Sequence, residues 1–286
     1  VHGIDPALTL CGAGSMELIG MLIRAFCGPG TEVLASKHSY AFFRTAALAC
    51  GAGYIAAHEA DRTVSVDALL AAVTPTTRVV CVANPGNPTG SRIPRRELLR
   101  LRDKLPDHVL LLIDEAYGEF ADTPSEAMWD LVERGDTVVM RTFSKAYGLA
   151  GLRVGWGLFP SDIGIEVRKL LNPNNISGPA QAAATAAMKD QTHMRATVAE
   201  TARRRTAFIA KLHARGFDAE DSHTNFILID LGTPDAASSA SDALRQEGII
   251  LRAMGGYGLG HCLRATIGAQ SDMALAAEIL GRWRHG

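Results

Sequence analysis

Val109-Leu110-Leu111-Leu112-Ile113-Asp114-Glu115-Ala116-Tyr117 sets five aliphatic residues in a row and then stops them at two carboxylates. A run that short, apolar at successive rather than alternate positions, predicts a strand buried on both faces, and such strands belong to parallel sheets covered by helices. The same texture recurs at 32–35, 78–83, 137–140 and 154–158, each run bounded by Gly, Pro or charge. Helical patterns at 42–50 and 95–104 stand between the runs. Ahead of them, Gly14-Ser15 followed by Met16-Glu17-Leu18-Ile19-Gly20-Met21-Leu22-Ile23 predicts a glycine turn, a serine cap and an amphipathic helix ended by Gly28-Pro29-Gly30. Alternation of this kind predicts an α/β fold with a mainly parallel sheet.

From about Pro179 the texture changes to one long alanine-rich, then arginine-rich helical stretch reaching Arg215. A strand at 225–230, a helix at 236–246 and a strand near 249–252 follow, which predicts a second, smaller α+β domain. We expect a large α/β domain over 1–178, a small one over 179–286, and a ligand site in the cleft between them.

The 286 residues suit one large or two ordinary domains at ~100–200 residues each. With 47% apolar and 21% charged residues the chain has the composition of a globular protein, which excludes disorder and collagen-like repeats. Twenty-nine Lys+Arg against 30 Asp+Glu leave a net charge of -1, so no global field attracts nucleic acid or an anionic membrane. The arginine run 203–205 is interrupted nearby by Glu200, Asp218 and Glu220 and reads as a solvated face. Five scattered cysteines without C-x-x-C spacing argue against a disulfide framework and for a cytoplasmic location. No apolar run approaches the ~20 residues a membrane span needs. The nine histidines show neither an i, i+4 pair nor a Cys partner, so no metal is expected.

Three clusters follow predicted strands, where open α/β sheets bind ligands. Asn84-Pro85-Gly86-Asn87-Pro88-Thr89-Gly90 is a stiff turn able to aim an asparagine amide, or simply a rigid connection. Asp114 is a carboxylate at a strand exit, or simply a helix cap. In Arg141-Thr142-Phe143-Ser144-Lys145-Ala146-Tyr147-Gly148-Leu149-Ala150-Gly151-Leu152-Arg153-Val154-Gly155, a lysine lies between hydroxyls and apolar residues, with an arginine eight positions on. Partial burial deprotonates a lysine amine and makes it nucleophilic.

Together with the late Leu263-Arg264-Ala265-Thr266-Ile267-Gly268, these motifs resemble the pyridoxal-phosphate-dependent aminotransferases of fold type I, in particular the histidinol-phosphate aminotransferase family. The resemblance extends from Gly12 to Gly268 and implies a mainly parallel seven-stranded sheet flanked by helices. It implies pyridoxal 5'-phosphate as cofactor, a small-molecule amine donor and a 2-oxo acid as substrates, and a homodimer. No nucleic acid, membrane or metal partner is expected.

By this resemblance Lys145 forms the imine with the cofactor and then moves a proton, Asp114 keeps the pyridine nitrogen protonated, and Tyr117 and Asn87 hydrogen-bond the ring oxygen. Backbone N–H groups of Ser15 and Met16, the hydroxyls of Thr142 and Ser144, and Arg153 would hold the cofactor phosphate, while Tyr40 stacks on the ring. Arg264 would grip the substrate carboxylate, Arg252 would add a second positive charge suited to a phosphate, and Asn175 would lie near the substrate.

The chain departs from the family pattern at Met16, where Asp is usual, at His38, where Pro is usual, and at Asn174, where an aromatic residue is usual. Family members also carry a segment ahead of the one resembling residues 1–10, so we expect the sequence to begin inside the family's length. The leading expectation is a ping-pong transfer from histidinol phosphate to 2-oxoglutarate. The alternatives are an aromatic amino acid aminotransferase, a threonine-phosphate decarboxylase-like enzyme, and a non-catalytic regulator that binds the cofactor.

Overall fold

The computed structural model describes residues 1–121 and 128–285. Twelve strands lie among these residues: β1 (Thr9–Gly12), β2 (Glu32–Ser36), β3 (Gly53–Ala57), β4 (Glu59–Ala60), β5 (Thr63–Val64), β6 (Thr77–Ala83), β7 (Leu110–Asp114), β8 (Thr137–Thr142), β9 (Gly155–Leu158), β10 (Phe226–Asp230), β11 (Arg252–Ala253) and β12 (Cys262–Thr266). Seven of them form one sheet in the order β1-β9-β8-β7-β6-β2-β3. Only β9 runs against its neighbours β1 and β8; the remaining pairs are parallel, which bears out the expected α/β sheet.

The successive apolar residues of β6, β7 and β8 serve both faces. Val79, Cys81, Leu112, Val138 and Met140 meet Leu18, Ile19, Leu22 and Ile23 of the helix Ser15–Phe26. Val80, Val82, Leu111, Ile113 and Val139 meet Val66 and Leu69 on one helix and Leu98 and Leu101 on another. Burying a Leu or Ile side chain stabilises by about 1.5–3 kcal/mol, so this two-sided core fixes the strand register.

A second core packs Phe208, Leu212, Ile227, Ile229, Leu244, Leu263 and Leu280 between three helices (Gln191–His213, Pro234–Gln246, Gln270–His285) and the antiparallel sheet β10-β12-β11. The expected single long helix is two, Gly178–Lys189 and Gln191–His213. Asp190 separates them, because its carboxylate accepts from His193 N (3.0 Å) and starts the second helix. Ala180 and Ala184 of the first helix pack on Phe143, Tyr147 and Trp156 beside the large sheet. The strand expected near 249–252 is only Arg252–Ala253.

Ser15 is not a side-chain cap. The N-cap is Gly14, at φ +87°, and no side chain satisfies the first turn. No helix of the described residues is long and apolar enough to cross a membrane.

Candidate active site

Five strands deliver the site from the same end of the sheet. β1 ends before Ser15, β2 before Tyr40, β6 before Asn87, β7 at Asp114 ahead of Tyr117, and β8 at Thr142 ahead of Ser144 and Lys145. These side chains, with Met16 and Arg153, line one cavity of about 200 Å³. All ten residues assigned to the cofactor in the sequence are therefore brought together at the carboxyl ends of the parallel strands, as open α/β sheets require.

One end of the cavity is built for an anion. The uncapped N–H groups of Ser15 and Met16 open a 12-residue helix, whose dipole favours negative charge. Ser144 N donates to Thr142 Oγ1 (3.1 Å), and Thr142 Oγ1 donates to Ser144 Oγ (3.0 Å), which clusters the two hydroxyls. Arg153, itself at φ +55°, donates from Nη1 to Ala150 O (2.9 Å) and reaches Ser144 Oγ (3.5 Å). Glycine is required at two points of this cradle. A Cβ on Gly14 would stand 2.4 Å from Arg153 Nη2, and one on Gly155 would stand 2.1 Å from Ser15 N.

At the other end Asp114 is 5% exposed, and its Oδ1 accepts from Ala116 N (3.1 Å). Burial drives its pKa up to about 6, against the opposing pull of that hydrogen bond and of Lys145. Lys145 is held below the usual lysine range, first by burial and then by the positive charges of Arg264, Arg153 and Arg252. Its Nζ lies 5.2 Å from the ring centroid of Tyr117. The hydroxyl of Tyr117, buried against Phe226, is pushed up by desolvation, as is that of Tyr40, which reaches about 12. Both therefore stay protonated donors.

Asn87 and Asn84 divide the work of their loop. Asn84 Nδ2 donates to Ile93 O (3.0 Å) and Oδ1 accepts from Ile93 N (2.9 Å), which locks the turn. Asn87 Oδ1 accepts from Arg264 Nη1 (2.7 Å), so its amide nitrogen is left to face the cavity. Arg264 lies over Phe226 (4.5 Å), and its buried Nε has no hydrogen-bond partner among the described residues. Arg252 stands opposite Arg264 in the β11–β12 register and is exposed.

Asn175 is not brought into this cavity. It borders an adjacent groove, where its Nδ2 donates to Glu17 Oε2 (2.7 Å) and approaches Cys11 O (3.4 Å). The expectation that no histidine has a Cys partner is also corrected: ligand atoms of Asp230, His261 and Cys262 all lie within 4.8 Å of one another. The Arg62 guanidinium already supplies positive charge there, 3.4 Å from Asp230 Oδ2 and 3.7 Å from Cys262 Sγ.

The sequence pattern of the family described as aminotransferase class I and II matches residues 2–282. The chain belongs to that family. It is 44% identical to a histidinol-phosphate aminotransferase of Rhodospirillum centenum, over 99% of this chain and 79% of the relative. A histidinol-phosphate aminotransferase of Sinorhizobium meliloti, solved in complex with pyridoxal-5'-phosphate, superposes with a TM-score of 0.93 at 30% identity, covering 99% of this chain and 78% of that one. An aspartate aminotransferase variant of Thermus thermophilus shares the fold (TM-score 0.86) at 20% identity, over 98% of this chain and 81% of that one. The resemblance read from the motifs is thereby borne out at the level of family and fold.

The aminotransferase's residues also fit the cofactor that the resemblance implies. Among the described residues Asp114 has no cationic hydrogen-bond partner, which suits a positive ring nitrogen, and the uncapped helix start beside Arg153 suits a phosphate. Three contributors were missed in the sequence. Glu115 and Arg141, neighbours of Asp114 and Thr142, form a buried pair at 2.9 Å that ties the exits of β7 and β8 together. Both stand inside motifs that were read only for the residues beside them. Phe226, which supports Tyr117 and Arg264 at once, gives no signal beyond its place in an apolar strand.

Proposed function

We propose that this aminotransferase transfers the amino group of L-histidinol phosphate to 2-oxoglutarate, with pyridoxal 5'-phosphate held in the Lys145 cavity. The observation that carries this reading is the pair Arg252 and Arg264, opposed on neighbouring strands, the second bound to Asn87 of the cavity and both near enough to Lys145 to lower its pKa, neither with a carboxylate partner among the described residues. Two such guanidinium groups suit substrates with an anion at a distance from the reacting carbon, either a phosphate or a second carboxylate. The relatives named above support the choice of the phosphorylated amine.

Bound there, pyridoxal phosphate supplies an electron sink for the electron pair left on the substrate carbon when its proton departs. The protein's groups do the rest. Ser15 and Met16 N–H, Thr142, Ser144 and Arg153 bind the phosphate, and Tyr40 covers the ring. Asp114, costly to keep charged in its buried position, holds the proton on the pyridine nitrogen. Tyr117 and Asn87 donate to the ring oxygen. Lys145 would hold the cofactor through its aldehyde carbon, and its ε-amine is the group placed to accept and return the substrate's proton. Burial and the neighbouring guanidinium groups favour its neutral, proton-accepting form. Arg264 binds the carboxylate of the oxo acid in the second half of the cycle, so one site serves both substrates in turn. The same reading expects a homodimer, with a solution mass twice that of one chain.

The test is a half-reaction. Loaded protein given L-histidinol phosphate and no oxo acid should lose its visible cofactor absorption stoichiometrically, and 2-oxoglutarate should restore it. A protein that binds the cofactor at Lys145 but leaves the band unchanged has another amine donor; Lys145→Ala should show no band.

A further inference from the structure

Beside Arg252 and Arg264 stands a third polar side chain, Tyr257. The chain between β11 and β12 reads Met254-Gly255-Gly256-Tyr257-Gly258-Leu259-Gly260. Its single 3-10 turn, Gly255–Tyr257, closes on Gly258 at φ +74°. A Cβ added at Gly255, Gly256 or Gly258 would meet nothing within 4 Å, so the backbone bracketing the tyrosine is loosely packed. The tyrosine itself is anchored on Leu228, Met254, Leu259 and Cys262. The Arg252 guanidinium lies 5.8 Å from its ring centroid. Arg252 in turn faces Arg264 across the strand pair. Tyr257 also lies near Tyr40, Tyr117 and Arg264.

We infer that Tyr257 is the residue that makes this site prefer a phosphate monoester over a carboxylate at the far end of the substrate. Resting on the proposed function, this assigns the tyrosine two tasks. Its ring face holds the otherwise unpaired Arg252 guanidinium over the site by a cation–π contact. Its hydroxyl adds a neutral donor to the same anion, and a tetrahedral phosphate can accept from such a donor while still engaging both arginines. A planar carboxylate has two oxygens and is saturated by the arginine forks alone. The hydroxyl therefore discriminates between the two, whereas the ring serves both.

The decisive comparison uses the loaded full chain with Tyr257→Phe and Tyr257→Leu, measuring KM and kcat for L-histidinol phosphate and for 2-oxoglutarate separately, and kcat/KM for unphosphorylated L-histidinol. Tyr257→Phe keeps the ring and loses only the hydroxyl. It should raise KM for the phosphate ester about tenfold, the range of one hydrogen bond to a charged group. The KM for 2-oxoglutarate and the kcat/KM for histidinol should stay within about twofold. Tyr257→Leu, which also frees Arg252, should raise KM for both anionic substrates. The inference is overturned if Tyr257→Phe leaves the ratio between phosphate ester and oxo acid unchanged while the wild-type protein turns over histidinol phosphate. A wild-type protein that does not turn it over removes the proposed function itself, and the inference with it.

Discussion

Asp114 is buried as a carboxyl, and the cost of that burial is measurable in the cofactor-free protein. Its carboxyl has a pKa raised from 3.8 to about 6, so between those values the folded chain holds a proton that the unfolded chain has released. The folded state binding more protons means stability falls as pH rises through that window, by on the order of 3 kcal/mol for a shift of this size. Thermal melts of the cofactor-free protein from pH 4 to pH 7 should show this decline, and Asp114→Asn should flatten it. The same substitution should leave a cofactor-loaded protein with activity reduced at least a hundredfold, since a neutral amide cannot hold the ring proton. Arg264→Lys keeps a charge but loses the fork that reaches Asn87, and should raise KM for 2-oxoglutarate by about ten- to a hundredfold with little effect on melting temperature. Residues at strand exits, such as Asp114 and Lys145, were legible because an apolar run that ends in a polar group announces its own boundary. Asn175 borders the adjacent groove because its amide is taken by Glu17, a contact across 158 positions that no local pattern contains.

Elements that carry a long apolar stripe or an unbroken apolar run were found within a residue or two of their observed limits, including the helix Arg95–Lys104. β1 and β3 escaped because both are edge strands whose apolar runs are interrupted by exposed positions, Cys11 in the one and Gly53 and Ala56 in the other. Between elements, the close approach of β9 to the start of the helix Ser15–Phe26 depends on Gly155. Gly155→Ala forces Ser15 N away from a Cβ that would stand 2.1 Å off, and should weaken pyridoxal phosphate binding at least tenfold in a fluorescence titration. An unchanged affinity would remove the helix start from the phosphate site. The turn before Tyr40 is fixed differently from the family's proline: Glu59 accepts from both His38 N (3.0 Å) and His38 Nδ1 (2.7 Å). Glu59→Ala should therefore loosen Tyr40 and lower cofactor affinity several-fold, and adding His38→Pro should recover part of that loss, because proline fixes φ without a partner.

Across the whole molecule, the large and small sheets meet over the site through few polar ties. Arg264 reaches Asn87, and Arg62, on the β4–β5 turn at φ +59°, pairs with Asp230 at 3.4 Å and Glu220 at 3.8 Å. Ion pairs that keep contact with solvent, as these two do, are worth about 0–1 kcal/mol. Arg62→Ala should therefore barely move the melting temperature while lowering kcat/KM, if the two sheets must be held together for Arg264 to meet the substrate. The α/β class was legible in the alternation of apolar runs and helices, whereas the approach of the small sheet to the cavity was not, since it rests on contacts such as Arg264–Asn87 that span 177 positions. The central claim is that one site joined to Lys145 moves nitrogen from a phosphorylated amine to an oxo acid. It is tested most directly by supplying amino-15N L-histidinol phosphate and unlabelled 2-oxoglutarate and following the label by mass spectrometry. The account predicts 15N-glutamate in step with the phosphorylated ketone from the wild-type protein, and none from Lys145→Ala. Labelled ammonia, or no transfer from a protein that has bound its cofactor, would contradict it.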